Sequence, residues 1–160
     1  GVDLALRVSS VDLPPTLIVR PLSEIAFYLI GETEYLQRHG TPATPQEILT
    51  YNFVQASYVD MEHIKISRDG EHFNLAPNST IRADNTPMVR EMVLAGGGLG
   101  YLPAWTVKRD LDSGRLVRLL PEWRIPSATL YAAYADRAFL SAKIRSFIDF
   151  LVEKIKQEAV

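Results

Sequence analysis

Hydrophobic and polar positions alternate from the start of the chain, with apolar side chains at Val2, Leu4, Leu6 and Val8. A period of two predicts a β-strand. After a polar turn over residues 9–15, a second extended run covers residues 16–30 and is interrupted by Pro21 and by Ser23-Glu24. Because proline cannot donate to a sheet ladder, we predict two strand pieces joined by an elbow at Pro21.

Other segments follow helical spacing. Near the end of the chain Ser141 can cap a helix whose apolar positions are Ile144, Phe147, Ile148, Leu151, Val152 and Ile155. A second helix is predicted to start at Asp84-Asn85-Thr86-Pro87 and to end at the glycines of residues 96–98. It would carry on one side Met88, Val89, Met92 and Val93.

Start and stop signals predict three shorter helices. Thr33 is expected to cap one that ends at His39, with Gly40 as its left-handed terminator. Residues 44–47, Thr-Pro-Gln-Glu, have the spacing of a capping box. Pro103 would open a third helix that runs through Leu111 and ends at Ser113-Gly114.

Short apolar runs between these helices predict further strands. Asp69-Gly70 lies between residues 64–66 and 73–75, a pattern typical of a β-hairpin. The remaining predicted strands are residues 80–83, 99–102, 116–120 and 128–134. Strands and helices alternate along most of the chain, which predicts an α/β fold with a largely parallel sheet.

Composition narrows the class of protein. The chain has 160 residues, 17 basic against 19 acidic side chains and no cysteine. It lacks the basic stripe of a self-sufficient nucleic-acid binder, and disulfides and thiolate metal sites are excluded. No apolar run reaches the roughly 20 residues of a spanning helix. The absence of cysteine fits a cytoplasmic protein.

The start of the chain favours the interpretation that it is a fragment. Gly1 leads directly into the first predicted strand, with no signal peptide and no preceding cap or tail.

At this point the order of motifs resembles the effector-binding domain of LysR-type transcriptional regulators, specifically its C-terminal part. The segments that carry the resemblance are Gly1–Val8, Tyr35–Pro42, Thr44–Leu49, Arg68–Gly70, Ala95–Pro103, Gly114–Pro121, Leu130–Ala132 and Ser141–Leu151. Together they cover nearly the whole chain.

The resemblance implies a type 2 periplasmic-binding-protein-like fold, in which two α/β lobes are joined by two crossover strands. Residues 22–127 would form a complete second lobe, and residues 1–20 and 130–160 a truncated first lobe, with crossovers near 16–30 and 128–134. It also implies a homodimer or higher homo-oligomer. DNA would be bound only through a helix-turn-helix that is absent from these residues.

Candidate ligand contacts come from two ends of the expected cleft. The helix start at Asn85 and Thr86 offers backbone N–H groups and a positive dipole end, which suit an anion; a plain helix cap is the alternative interpretation. Arg7 could clamp an anion beside Val8 and Ser9, or could simply be solvated. The family resemblance adds the backbone of Gly98 and Leu99.

The sequence does not contain the residue patterns of a dinucleotide site, a metal site or a serine-hydrolase site. The glycines of residues 96–100 end a helix and precede a strand, which is the reverse of a dinucleotide-binding motif. His39, His63 and His72 have no metal-ligand spacing, and no G-x-S-x-G elbow is present. Asp60 and Glu62 favour a solvated acidic turn. No cofactor and no metal are predicted.

Trp105 and Trp123 are expected to pack beneath their neighbours. Trp105 lies near enough to the glycine turn to stack on an aromatic effector instead.

The leading hypothesis is therefore a sensor domain that binds a small, anionic effector between its lobes and so modulates DNA binding and transcription by the full-length protein. An extracytoplasmic solute-binding protein of the same fold is the alternative hypothesis. An enzyme on this scaffold is a third, although no acid, base or nucleophile set supports it.

Overall fold

A computed structural model describes residues 4–8, 17–134 and 141–158. The strands are β1 Ala5–Val8, β2 Ile18–Ile25, β3 Phe27–Glu32, β4 Phe53–Ala56, β5 Ile64–Arg68, β6 Glu71–Leu75, β7 Ser79–Ala83, β8 Leu99–Pro103, β9 Leu116–Arg118 and β10 Ala128–Tyr134. The helices are α1 Thr33–His39, α2 Pro45–Ile48, α3 Thr86–Leu94, α4 Ala104–Ser113 and α5 Ala142–Glu158, with a 3-10 turn at Met61–His63.

The chain divides into two compact units. Unit 1 comprises residues 1–25 and 127–160, and unit 2 comprises residues 26–126.

Unit 1 is an antiparallel sheet in the order β1-β10-β2. Its core joins Leu22, Ala132 and Ile148, so that α5 covers one face of the sheet. The hydroxyl of Ser141 accepts from the N–H of Ile144 at 3.3 Å, which confirms the predicted cap. Phe147 was predicted on the apolar stripe but is 49% exposed.

The predicted elbow at Pro21 is wrong. Strand β2 continues through Pro21, and the break between the two strand pieces falls at Ala26. A bulge at Leu22 shifts the register with β10. Since β2 is an edge strand of this sheet, a missing N–H is tolerated there. The polar turn predicted at residues 9–15 lies outside the described residues.

Unit 2 is built on a mixed sheet in the order β7-β4-β8-β3-β9. Strands β7, β4 and β8 are mutually parallel, whereas β3 is antiparallel to both β8 and β9. The expectation of a largely parallel sheet is therefore corrected to a mixed one. Strand β3 lies next to β8 and runs in the opposite direction, so that the parallel part of the sheet is limited to β7, β4 and β8.

Helices α3 and α4 cover one face of this sheet. Their apolar side chains Val89, Val93 and Val107 join a buried cluster with Val54 and Leu102 of the strands. Met88 was predicted on the buried side of α3 but is 47% exposed. It lies in the first turn of the helix, next to Val89, which is fully buried.

Most local predictions in unit 2 are confirmed. Asp69 and Gly70 both have positive φ, 47° and 81°, as the tight turn between β5 and β6 requires. The hydroxyl of Thr44 accepts from the N–H of Glu47 at 3.4 Å. Gly114 ends α4 in the left-handed conformation.

The predicted cap at Thr33 is wrong, although the predicted helix is confirmed. The cap is Glu32, whose carboxylate accepts from the N–H groups of Glu34 and Tyr35. Thr33 is the first helical residue, and its hydroxyl donates to the carbonyl of Gly114. Gly40 has a positive φ of 87° but an extended ψ of 160°, so it is not a left-handed helical terminator.

The two tryptophans differ in how deeply they are buried. Trp123 is 5% exposed, as predicted, and the guanidinium of Arg68 lies 4.9 Å from the centre of its ring. Trp105 is 65% exposed, so the expectation that it packs beneath its neighbours is wrong.

A buried ion pair fixes α3 against α4. The guanidinium of Arg90 donates to both oxygens of Asp110, at 2.7 and 2.8 Å. The side chain of Asp110 is only 3% exposed, and its hydrogen bonds raise the pKa of Arg90 above the ordinary value. A bidentate pair of this kind holds both helices in one relative position.

We expect Arg90→Met to cost about 3 kcal/mol in the free energy of unfolding, because it leaves the Asp110 carboxylate buried beside only the more distant Arg115. Urea denaturation at neutral pH measures the change. The exposed pair Lys108–Asp112 provides the matched control, since Lys108→Met should change stability by less than about 0.5 kcal/mol. Equal costs for the two variants would show that the buried pair does not hold the helices.

Candidate functional site

The carboxyl ends of β4 and β7 meet at one edge of the unit 2 sheet. Ala56 pairs with Ala83 in parallel register, and the N–H of Ser57 donates to the carbonyl of Ala83 at 2.8 Å. The chain continues from these ends into Ser57-Tyr58 on one strand and into residues 84–86 on the other. In open α/β sheets, ligands bind outside the carboxyl ends of the strands.

Asn85 caps α3, as the sequence predicts. Its side-chain oxygen accepts from the N–H of Met88 at 2.9 Å, and its carbonyl accepts from the N–H of Val89. Pro87 has no N–H. The backbone N–H of Thr86 is therefore the one donor of the first turn that these bonds leave for a ligand.

Thr86 contacts Tyr58 from the neighbouring strand end. The two hydroxyl groups are hydrogen-bonded to each other, although the side chain of Tyr58 is 58% exposed. Tyr58 thus presents most of its ring to solvent while its hydroxyl is held at the start of α3. A ring fixed in this way can form one wall of a binding site at little cost in side-chain entropy.

Sequence reasoning does not find Tyr58, because it predicts no strand over residues 53–56. The available signal is weak: β4 is a four-residue run, and all four residues are buried. Such a run cannot be distinguished from a piece of buried helix by its periodicity.

A positive and a negative electrostatic feature lie next to each other at this edge of the sheet. The start of α3 carries the positive end of the helix dipole, whereas Asp84 places an exposed carboxylate next to it. The side-chain amide of Asn85 donates to that carboxylate at 3.1 Å. One backbone donor beside one carboxylate suits a single ligand oxygen better than a compact multivalent anion.

A third strand end extends the same edge. Strand β8 is parallel to β4, and the chain leaves it through Pro103 and Ala104 into α4, where Trp105 is exposed. Because β8 is the neighbour of β4 in the sheet and adjacent strands are about 4.8 Å apart, the start of α4 with Trp105 follows the strand end next to that of Tyr58. Below this edge the rings of Phe27 and Tyr101 stack at 4.9 Å, and burial raises the pKa of Tyr101.

The structure does not bring Gly98 and Leu99 to this edge. Leu99 pairs with Phe53, the first residue of β4, at the amino end of the parallel strands. Its side chain is fully buried, and its N–H donates to the carbonyl of Asn52 at 2.9 Å. Helix α3 runs from one edge of the sheet to the other, so its two ends lie on opposite sides.

The geometry gives Gly98 a structural role. Its φ is +146°, and a Cβ at this position would lie 2.5 Å from the carbonyl oxygen of Asn52. The glycine is needed so that the backbone can pass close to the start of β4.

The remaining predicted site residues belong to unit 1. Arg7 and Val8 lie in β1, where their backbones pair with Tyr131 and Leu130 of β10. Their side chains, and Ser9 as a whole, lie outside the described residues. The prediction that they line a ligand site is therefore not tested.

The described residues offer no metal centre. They contain no group of three or more histidine, aspartate and glutamate side chains that could hold an ion. His39 and His72 are exposed, and the side chain of His63 lies outside the described part. Asp60 caps the 3-10 turn by accepting from the N–H of Glu62 at 3.0 Å. Among the residues placed by the structure, no helix is long and apolar enough to cross a membrane.

Comparison with known proteins gives a uniform result. A family model described as the LysR substrate binding domain matches residues 1–156. The chain is 31% identical to a probable HTH-type transcriptional regulator, LtrA, of Klebsiella pneumoniae, covering 97% of this chain and 51% of that protein. It is 30% identical to the HTH-type transcriptional regulator CrgA of Neisseria meningitidis, covering 96% of this chain and 52% of that protein.

Solved structures agree with the sequence matches. The regulatory domain of CrgA, described as a LysR-type transcriptional regulator, is 27% identical with a TM-score of 0.79, covering 96% of this chain and 75% of that one. Full-length AphB of Vibrio cholerae has the same fold, with a TM-score of 0.79 at 23% identity, covering 95% of this chain and 51% of that one. The chain spans about half the length of the curated relatives that it matches.

We expect Gly98→Ala to lower the free energy of unfolding by about 3 kcal/mol or more, because the new Cβ meets backbone atoms that cannot move aside. Gly70→Ala is the control: Gly70 also has positive φ, 81°, but an added Cβ there would meet nothing within 4 Å. That variant should lose only about 1 kcal/mol. Chemical denaturation of both variants measures the difference, and similar losses would refute the close approach at Gly98.

Proposed function

We propose that this chain, which belongs to the LysR substrate binding domain family, senses a small molecule at the carboxyl edge of the unit 2 sheet. The observation that carries the proposal is the pairing of Thr86 with the exposed Tyr58 at the start of α3. These residues combine one free backbone donor, two hydroxyl groups and an aromatic ring on adjacent strand ends. Such a mixture of apolar surface and a few placed polar groups is typical of ligand sites.

The predicted fold class is confirmed: the chain has the type 2 periplasmic-binding-protein-like α/β fold of LysR-type regulatory domains. We further propose that unit 2 is a complete second lobe and that unit 1 is part of the first. We also propose Arg7, Val8 and Ser9 of unit 1 as ligand contacts.

The proposed site does not include Gly98 and Leu99. Their position at the amino end of β4 separates them from Thr86 by the length of α3, about 13 Å for a nine-residue helix. The backbone N–H of Leu99 is already engaged with Asn52. We propose that Tyr58 takes their place as a ligand contact.

We infer the partners of this chain from the names and lengths of its relatives. The curated relatives are named as HTH-type transcriptional regulators and are about twice as long as this chain. We propose that the chain acts in the cytoplasm as part of a homo-oligomeric regulator whose DNA contacts lie outside these 160 residues. Ligand binding can then change transcription only if the ligand binds two arrangements of the protein with different affinity. These relatives offer no support for the solute-binding alternative or for an enzyme.

We expect Thr86→Ala to weaken binding of a small-molecule ligand by about five- to tenfold, because it removes the hydroxyl that holds Tyr58 at the start of α3 while the backbone N–H of residue 86 remains. Ligands are first found by thermal shift with a panel of small aromatic and aliphatic acids and their amides, each at millimolar concentration. Calorimetric titration then compares the variant with the unmodified chain.

The control for this experiment is Thr41→Ala, because Thr41 is an exposed loop residue distant in sequence from the strand ends. It should bind the same ligand with unchanged affinity. Unchanged affinity in Thr86→Ala, together with an unchanged melting temperature, would show that the bonded pair of Thr86 and Tyr58 does not form part of the site.

We propose that the ligand is an anion that presents a single oxygen to Thr86. The helix dipole favours a carboxylate there, and Asp84 opposes it. Benzoate and benzamide have the same shape and differ in charge, so their affinities separate the two effects. We expect benzoate to bind more tightly and Asp84→Asn to increase its advantage. Tighter binding of benzamide would show that the site prefers a neutral carbonyl.

A further inference from the structure

Unit 2 contains a polar cavity that the proposed effector site does not use. Its volume is about 490 Å³, within the range of about 300–1,000 Å³ that is usual for ligand sites. The cavity lies against β4 and β7, is open to solvent on one side, and is also lined by the loops over residues 57–62 and 76–78. Seven of its eleven lining residues have polar or charged side chains, so it suits a hydrophilic ligand.

The residues of β4 and β7 that line the cavity lie on the opposite face of the sheet from α3, whereas Val59 of the lining packs against the cluster under α3. Val54 and Ala56 of β4 pack into the cluster under α3, and so does Ala83 of β7. Because side chains alternate along a strand, Gln55 and Arg82 point to the other face. These two residues are register partners in the parallel ladder. Neither Tyr58 nor Thr86 lines the cavity.

The floor of the cavity is held in one conformation. The side chain of Gln55 is 9% exposed, its amide donates to the carbonyl of Val59 at 2.8 Å, and its oxygen accepts from the hydroxyl of Ser79 at 2.5 Å. These bonds tie the loop after β4 to the start of β7. A floor preorganised in this way costs a ligand little ordering entropy.

The cavity is lined by a positively charged and a negatively charged side chain that do not pair with each other. Arg82 is exposed to the cavity, and within the described part of the chain its guanidinium has no hydrogen-bond or ion-pair partner. Glu62 also lines the cavity, and its carboxylate likewise forms no ion pair with any described residue. The two charged groups share one cavity and are not within 4 Å of each other. The cavity therefore offers one cationic and one anionic group to a ligand.

We propose that this cavity binds a zwitterionic α-amino acid. The ligand carboxylate is bound by Arg82, whose planar fork matches carboxylate geometry, and the ligand ammonium is bound at the acidic side that includes Glu62. A simple anion fits less well, because the carboxylate of Glu62 lines the same cavity as Arg82. A neutral sugar would leave the guanidinium without a charged partner.

The test is a titration of the chain with each of the twenty common L-amino acids, followed by matched analogues of the tightest binder. If that binder is L-serine, the analogues are 3-hydroxypropionate, which lacks the ammonium, and ethanolamine, which lacks the carboxylate. We expect the zwitterion to bind at least tenfold more tightly than either analogue. No binding by any amino acid at 10 mM, or equal binding of an analogue, would overturn the proposal.

Two variants locate the site. Arg82→Gln should weaken amino-acid binding by about tenfold or more, the loss of a charge-assisted hydrogen bond. Glu62→Gln should weaken binding of the zwitterion but strengthen binding of the anionic analogue, because one repulsive charge is removed. A merely structural role for Glu62 would move both affinities in the same direction and would contradict the assignment.

Two controls separate this cavity from the proposed effector site. Arg109→Gln removes an exposed arginine on α4 and should leave amino-acid binding unchanged. Thr86→Ala should also leave it unchanged, and Arg82→Gln should not alter binding of the acids tested at α3. A loss of amino-acid binding in Thr86→Ala would place the amino acid at the effector site and overturn the second site.

Discussion

The parallel pairing of β4 with β7 is the constraint on which the functional surfaces of unit 2 depend. It brings Ala56 opposite Ala83, so two chain segments leave the sheet side by side and Tyr58 meets Thr86. The same pairing places Gln55 opposite Arg82 on the other face. Because side chains alternate along strands, one four-residue strand supplies the packing surface for α3 and the floor of the polar cavity.

Helix α3 gives the site at these strand ends a fixed geometry, because the helix itself is held in one position. Asn85 caps its first turn, and the ion pair between Arg90 and Asp110 fixes it against α4. Without the ion pair the helix would be held mainly by Val89 and Val93, and apolar contacts restrain rotation less than a bidentate hydrogen bond does. The cap, in turn, uses a donor that a ligand could otherwise take. The stability of α3 therefore limits how many oxygens its first turn can bind.

Local signals in the sequence predict the helices and the hairpin, but they miss strand β4 and the site beside it. The Asp69-Gly70 turn and the cap at Asn85 are predictable because each depends on residues within three positions. The family resemblance suggests Gly98 as a ligand contact, whereas sequence spacing alone does not reveal at which edge of a sheet a helix ends. Tyr58 and Arg82 escape notice because their roles depend on the β4–β7 register, which joins residues 27 positions apart.

The β4–β7 pair also determines whether a ligand at the start of α3 can change the affinity of the polar cavity for its own ligand. Coupling between sites requires an element with two arrangements that both ligands bias. Strand β4 is buried along its whole length, and Gln55 is tied to both Val59 and Ser79. An element fixed on both faces has little freedom to shift, because packed interiors are dense and resist small displacements. The β4–β7 pair should therefore act as a rigid partition, and each face can acquire its own ligand preference without altering the affinity of the other.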